Sequence, residues 1–288
     1  VKAYARGTTI TPQDLDDEDF SLTIDKANYF AFKVDDIEEA HSHVNFQSLA
    51  SDRAAYRIAD QFDQDVLGYL SGFKQSALHS NADTANTTVN GSKAVSTAGS
   101  DELLASMKLD ASDFNAGSGG NSIALAARSG NSAAPTAAGN ANPLSVIARM
   151  GRKLDQQNVD TTGRWLVVDP VFAELLKDED SRLFNSDFGG SGLQNGQMAG
   201  SLHGFTVHVS NNLPSVGTGP STEADTNSSN YGVIVAGHSS AVATAEQINK
   251  TETYRDPDSF ADIVRGMHLY GRKILRPESL VNAIYNVR

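Results

Sequence analysis

The spacing of hydrophobic residues changes period near residue 35. Phe20, Leu22 and Ile24 alternate with polar neighbours, Asp25-Lys26-Ala27-Asn28 interrupts, and Phe30, Phe32 and Val34 resume the period of two. That pattern predicts two strands of a hairpin. After Asp35-Asp36 the spacing becomes helical and continues to Phe73, with neither Pro nor Gly before Gly68. One helix is therefore predicted over residues 37–73, and Asp36 followed by Glu39 forms a capping box at its start. About 35 residues at ~1.5 Å rise make a rod of about 50 Å, three times the length of an ordinary globular helix. Its second half carries a stripe at Ala55, Ile58, Ala59, Phe62, Val66, Tyr69, Leu70 and Phe73. In the first half the stripe is thin, with Ser48 and Ser51 among its positions. Such a half is expected to lie on a broad surface or against another subunit.

Residues 79–142 differ in character. They are rich in Ala, Ser, Asn, Gly and Thr, and Phe114 is the only aromatic between Phe73 and Trp165. A segment of this kind buries little apolar area against its chain entropy. It reads as an insertion with one short helix over residues 101–108, docked through Leu103, Leu104, Met107 and Leu109. Asn142-Pro143 then supplies an N-cap and a proline at the first helical position, followed by a face of Leu144, Ile147, Ala148, Gly151 and Leu154. Residues 164–168 (RWLVV) read as a buried strand. Asp169-Pro170 opens a helix with Val171, Leu175 and Leu176 inward. Phe205, Val207 and Val209 alternate as a strand ending at Ser210-Asn211-Asn212-Leu213-Pro214. Residues 231–236 (YGVIVA) read as another buried strand, leading to a helix over residues 240–248. The tail predicts a strand with Met267 and Leu269, a turn near Gly271, a strand over residues 274–276 and a turn at Arg276-Pro277-Glu278. Strands and helices mix without regular alternation, which places the chain in the α+β class.

Composition narrows the function. The 288 residues contain no Cys, which excludes disulfides, iron–sulfur clusters and Cys-ligated zinc. A net charge of -12 argues against a sequence-reading nucleic-acid binder, because phosphate contacts need clustered Lys and Arg. It does not exclude a protein that lives beside DNA without adhering to it. No apolar run reaches the ~18 residues of a membrane span. Val1 in place of Met predicts a processed chain or one lacking an N-terminal stretch. The first seven residues lack a signal-peptide core, so the interior of a cell is the expected compartment.

Four groups of residues invite a chemical reading. Gly237-His238-Ser239-Ser240-Ala241 lies between a strand and an expected helix, the setting of a nucleophile elbow, and Asp256 or Asp262 with His268 completes a Ser, Asp, His order. The last elbow position is Ala, however, and the parallel strands such an enzyme needs upstream are missing. The plainer reading makes Ser239 or Ser240 a helix N-cap. The acidic run Asp14, Asp16, Asp17, Glu18 and Asp19 lacks the Gly and the terminal Glu of a calcium loop, and reads as a solvated turn. His41 and His43, two apart on a helix, cannot share a metal, and His203 and His208 face opposite sides of a strand. The glycine runs at residues 117–120 and 189–192 lack the Lys-Ser/Thr ending of a phosphate loop. No catalytic, cofactor-binding or metal site is assigned.

Several stretches together resemble a family. Residues 22–36 are similar to the strand that leads into the long spine helix of the major capsid proteins of tailed bacteriophages, which have the Hong Kong 97-like fold. Gly163-Arg164-Trp165-Leu166-Val167-Val168-Asp169-Pro170 is similar to the strand-to-helix step of their axial domain. Gly204-Phe205-Thr206-Val207-His208-Val209-Ser210-Asn211-Asn212-Leu213-Pro214 resembles their G-F-x-V-x-x-S-N-N-L-P strand, the most specific of these matches. Gly271-Arg272-Lys273-Ile274-Leu275-Arg276-Pro277-Glu278-Ser279-Leu280 resembles their closing strand and turn. Residues 80–142 have no counterpart in the pattern.

The resemblance implies a fold and a division of the chain. Residues 1–36 would form the extended loop and N-terminal strands, 37–79 the spine helix of the peripheral domain, and 80–142 the insertion. Residues 143–250 would form the axial domain and 251–288 the closing strands of the peripheral domain. It implies a structural, non-enzymatic subunit that assembles with itself as pentamers and hexamers into an icosahedral head enclosing double-stranded DNA. Scaffolding, portal and decoration proteins would be its other partners, with no cofactor and no membrane. The virion is the implied location, after assembly in the bacterial cytoplasm. Some members cross-link a loop lysine to a neighbour's asparagine, and Lys26 is the candidate lysine here. Three alternatives stay open: an encapsulin-like nanocompartment shell, a serine hydrolase using Ser239, and a surface adhesin or surface-layer protein.

Overall fold

The computed structural model describes Arg6 and residues 21–35, 46–71, 103–109, 111–114, 123–125, 141–177, 193–194, 197–198, 201–213 and 232–287. The capping box Asp36/Glu39, the acidic run at 14–19, His41, His43, Phe20, Phe73 and both glycine runs lie outside these residues. In chain order the elements are β1 (Lys26–Asp35), α1 (Phe46–Ser71), β2 (Lys108–Leu109), β3 (Ile123–Leu125), α2 (Pro143–Gln156), β4 (Arg164–Val168), α3 (Pro170–Lys177), β5 (Leu193–Gln194), β6 (Gln197–Met198), β7 (Ser201–Leu202), β8 (Phe205–Val209), β9 (Gly232–His238), β10 (Val242–Arg255), β11 (Ala261–Ile274) and β12 (Leu280–Val287).

A mixed seven-stranded sheet in the order β2-β12-β9-β4-β8-β7, with β3 also on β12, forms the body. Alternation along its strands builds two cores. Leu166, Val168, Ile234, Ala236, Val281, Ala283 and Tyr285 point to the face covered by α2 and α3, where Ile147, Met150, Leu154, Phe172 and Leu176 complete the larger core. Val233, Val235, Leu280 and Ile284 point to the other face, against Leu70, Val66, Leu67 and Tyr69 of α1. Because β9 is buried on both sides, its sequence is a continuous apolar run without alternation.

β9 and β12 are antiparallel neighbours, yet their connection is drawn out into a long arm. β10 and β11, 14 residues each, pair antiparallel, and β1 adds to the far edge of β11 to give the sheet β1-β11-β10. At ~3.3 Å per residue the arm is about 46 Å long. Chain entry and exit are stitched together at its base, where Leu275 and Arg276 donate their amides to the carbonyl of Ala241 at 2.8 and 3.3 Å.

Several expectations hold. Asn142 caps α2 by accepting the Leu144 amide at 2.9 Å, and the strands expected at 164–168 and 231–236 are β4 and β9. The helix expected over 37–73 is seen over Phe46–Ser71, 26 residues or about 39 Å at ~1.5 Å rise.

Others are corrected. Residues 26–28 do not break a hairpin: β1 is one uninterrupted strand, and residues 21–25 are not a strand. Instead of pairing with residues 21–24, β1 pairs within the same chain with β11. The helix expected over residues 240–248 is not formed: residues 242–248 belong to strand β10, because a long ladder to β11 overrides the helix-like spacing of a few alanines. Gly271 is not a turn. It lies inside β11, where the backbone at Thr23 and Ile24 crosses so closely that a Cβ would collide with the Thr23 carbonyl.

The short helix expected over 101–108 is a 3-10 turn at Ala105–Met107 followed by β2. Its leucines nevertheless dock, Leu103 on the α1 side and Met107 and Leu109 in the larger core. The α2 face is rotated, with Val146 and Met150 buried and Ala148 exposed; in α3 Phe172 and Ala173 are buried beside Leu176. On α1, Ala55 and Ala59 are exposed. Residue 250 lies inside β10, and β12 sits within the larger sheet.

Candidate assembly surfaces

α1 is the element that ties body to arm, and its acidic residues make the ties. On the body side, Asn212 in the turn after β8 donates to Asp60 Oδ1 at 2.8 Å. Gln64 Nε2 donates to Asp60 Oδ2 and to Asn212 Oδ1, each at 3.3 Å. Ser210 Oγ accepts the Asn212 amide at 3.2 Å and shapes the turn. The Ser-Asn-Asn motif is therefore a latch onto the helix. Burial, and secondarily the Asp60 carboxylate, raise the pKa of neighbouring Asp63.

On the arm side the tie is ionic and aromatic. Arg272 Nε lies 2.9 Å from Asp65 Oδ2 as an ion pair, without the direction of a hydrogen bond, while Nη1 donates to the Asp65 carbonyl at 2.7 Å. Tyr270 donates its hydroxyl to Asp65 Oδ2 at 3.0 Å. Burial, reinforced by the Asp65 charge, raises the Tyr270 pKa. Phe62 stands edge-on to Tyr270 and His268, at 4.8 and 5.5 Å between centroids, and the Arg272 guanidinium covers the Tyr69 ring at 4.4 Å. At the helix C-terminus, buried Asn282 of β12 donates to the Ser71 carbonyl at 2.7 Å, satisfying one of the four carbonyls a helix end leaves free.

The arm is stiffened by its own charges. Asp256, at the β10–β11 tip, accepts Lys33 Nζ at 2.7 Å, Ser259 Oγ at 2.6 Å and the Asp258 amide at 3.1 Å. These bonds hold its pKa at about 2, the Lys33 bond contributing most. Glu252 is gripped by Lys250 and by Arg265, whose Nη2 lies at 2.8 Å, and its pKa also falls to about 2. Arg265 in turn covers Tyr254 at 4.9 Å. Tyr29 and Phe260 are each 81% exposed, and Tyr56, Tyr254, Met267 and Val209 are exposed as well. These apolar side chains lie along the arm, on the free side of α1 and at the end of β8.

The hydrolase constellation is not assembled. Residues 239–241 turn from β9 into β10, so there is no strand-to-helix elbow and no helix for Ser239 or Ser240 to cap. Ser240, rather than Ser239, meets a histidine: its hydroxyl lies 2.8 Å from His238 Nδ1, which also accepts the Ser240 amide, while Nε2 donates to the Thr162 carbonyl at 2.9 Å. His268 sits opposite Asn249, about 20 Å along the arm from this turn at ~3.3 Å per residue. Asp256 and Asp262 lie farther out still. His203 occupies a tight turn at φ 50°, followed by Gly204 at φ 81°, which is the geometry of a two-residue hairpin. His203 and His208 are both exposed. Lys26 begins β1 and lies 3.3 Å from Asp25. Among the described residues no three His, Asp or Glu side chains converge as a metal site, and no helix is long and apolar enough to cross a membrane. The α1 latches were not read from sequence, since Asp60 and Asn212 are far apart in the chain; the only trace was the Ser-Asn-Asn motif.

Comparison with curated proteins gives no match. Among solved structures, the chain is similar to one from Mycobacterium phage Che8, at 24% identity and TM-score 0.58, over 92% of this chain and 72% of that one. It is similar to the capsid structure of the cyanophage P-SCSP1u at 18% identity and TM-score 0.63, covering all of this chain and 80% of that one. It also resembles the mature capsid of bacteriophage PhiM1, at 18% identity and TM-score 0.60, over 98% of this chain and 78% of that one. These likenesses establish the fold, the α+β Hong Kong 97-like architecture. A family model of phage capsid proteins matches residues 17–283, nearly the whole sequence, and the chain therefore belongs to the phage capsid protein family as a structural subunit of a phage head.

Proposed function

We propose that this chain is the major subunit of a tailed-phage head, that it assembles with its own copies as pentamers and hexamers, and that it works without catalysis. The match over residues 17–283 carries the reading. The dispersal of the serine, histidine and aspartate residues argues against hydrolysis. In this scheme α1 and the sheet β1-β11-β10 make the peripheral part, and the seven-stranded sheet with α2 and α3 makes the axial part. The acidic balance suits an inner wall that encloses double-stranded DNA without holding it. Scaffolding, portal and decoration proteins are the further partners proposed, and assembly is placed in the bacterial cytoplasm.

The test is to express the chain alone and with a scaffolding partner, fractionate by size, and examine the large fraction. Closed shells are expected, and in infected cells nuclease-protected DNA inside them. A strictly monomeric chain under all conditions would sink the proposal. Packaged enzyme in place of DNA would favour the nanocompartment reading. Serine-probe labelling that disappears in Ser239→Ala would revive the hydrolase.

A further inference from the structure

We propose that the segments holding β2 and β3, residues 103–109, 111–114 and 123–125, are a strap laid along the outer edge of β12. The strap keeps β12 from pairing with β12 of a second copy, and Lys153 is the side chain that fastens it.

β12 is the strand of the body that most needs such cover. Its sequence, LVNAIYNV, carries Val, Ile and Tyr and has neither a charge nor a proline. Short uncharged segments of this kind stack on identical copies of themselves. β9 occupies one edge of β12. Without the strap the other edge would be the margin of the body sheet, a row of unpaired amides and carbonyls.

The strap covers that margin in two steps. Lys108 and Leu109 lie beside Asn282 and Ala283, and Ile123, Ala124 and Leu125 lie beside Tyr285, Asn286 and Val287. Both pairings are parallel, the slightly weaker ladder per residue. Strands of two and three residues hold little by themselves.

Side chains supply the hold. Met107, Leu109, Ile123 and Leu125 are at most 2% exposed in the larger core. Lys153, in the last turn of α2, donates its ammonium to the Ser106 and Lys108 carbonyls at 2.9 and 2.8 Å. The same ammonium lies 3.5 Å from Asp113 Oδ1. A lysine head group has three donors, and three strap oxygens surround this one. One turn earlier on α2, Arg149 covers the Phe114 ring at 4.2 Å. The apolar anchors are spread through the core, whereas the polar ones converge on a single cation. Removing that cation loosens the strap and leaves the apolar core intact.

The test compares Lys153→Met, which keeps the stem and removes the ammonium, with the parent chain. Both are held at concentrations where the parent stays dissociated. Hydrogen–deuterium exchange is followed in β12 and in α3, and association by light scattering. At least tenfold faster exchange in β12 is expected, with α3 unchanged. Association should be at least tenfold faster and concentration-dependent, and β12 should be protected again in the associated material. Unchanged β12 exchange would overturn the proposal. Equal acceleration in β12 and α3 would overturn it too, because the strap would then be ordinary core and not a guard. Association that leaves β12 exchanging fast would mean that copies join elsewhere, which also contradicts it. If Lys153→Met does not fold, Asp113→Asn weakens one of the three contacts and should speed β12 exchange about threefold. No change in that variant would overturn the proposal. These outcomes leave the shell reading untouched, since the parent chain is dissociated throughout.

Discussion

At the scale of single residues, a few buried polar contacts govern how the body responds to mutation and pH. Tyr285 donates its hydroxyl to both oxygens of Asp169 at 2.5 Å, and Asp169 accepts the Phe172 amide at the start of α3. Burial raises the Asp169 pKa above 3.8, with the Tyr285 bond opposing that rise. A carboxyl with a raised folded pKa gives its full stability below its unfolded value and loses it as pH climbs through the folded one. Tyr285→Phe should therefore cost ~1–3 kcal/mol near neutral pH, where it leaves a largely buried carboxylate without its side-chain donor. In denaturant titrations the cost should shrink at acid pH; a cost independent of pH would contradict this. Asp256 and Glu252 have the opposite sign. Their folded pKa values of about 2 lie below the ordinary 3.8 and 4.5, so their contribution is present above those values and fades as pH falls toward 2. Lys33→Ala should return the Asp256 carboxyl toward its ordinary range, read as a carboxyl carbon-13 titration, and an unmoved midpoint would show that the Lys33 bond is not the cause.

At the scale of elements, α1 is held by the Asp60–Asn212 latch on one side and the Asp65–Arg272–Tyr270 group on the other. Arg272 and Asp65 have side-chain exposures of only 6% and 12%. Removing one partner of a buried pair leaves an uncompensated charge, so Arg272→Ala should cost ~3–5 kcal/mol. A double-mutant cycle with Asp65→Ala should return a clearly non-zero coupling energy, whereas additive losses would mean that the pair is not the tie. Asn212→Ala should cost about 1–2 kcal/mol by breaking the other latch.

Elements whose signal is local were legible in the sequence. The Asn142-Pro143 cap, the apolar runs of β4 and β9, and the alternation of β8 each state their structure within a few residues. β10 was not legible, because Ala-rich residues 242–248 carry a helix-like spacing and become a strand only when β11 is there to pair. Gly271 misled for the same reason: glycine marks either a turn or a close crossing, and only the remote Thr23 decides which. The latches escaped because no local pattern links Asp60 to Asn212.

At the scale of the whole molecule, the body has two packed cores while the arm leaves a long face and much of α1 in water. On α1 the exposure is seen at Ala55, Tyr56 and Ala59, in the half of the helix that carries the apolar stripe. What the sequence could not place was the second exposed surface, since Tyr29, Met267 and Lys250, opposed across the arm, come from three separate strands. Both surfaces make sense if the missing neighbours are other copies, and that is the central claim. A three-dimensional electron-microscopy reconstruction of particles assembled from this chain tests it most directly. The account predicts a closed icosahedral shell in which each subunit keeps the seven-stranded body sheet and the three-stranded arm, and α1 remains clamped between them. A chain that stays monomeric in every condition, or particles without a regular shell, would contradict it.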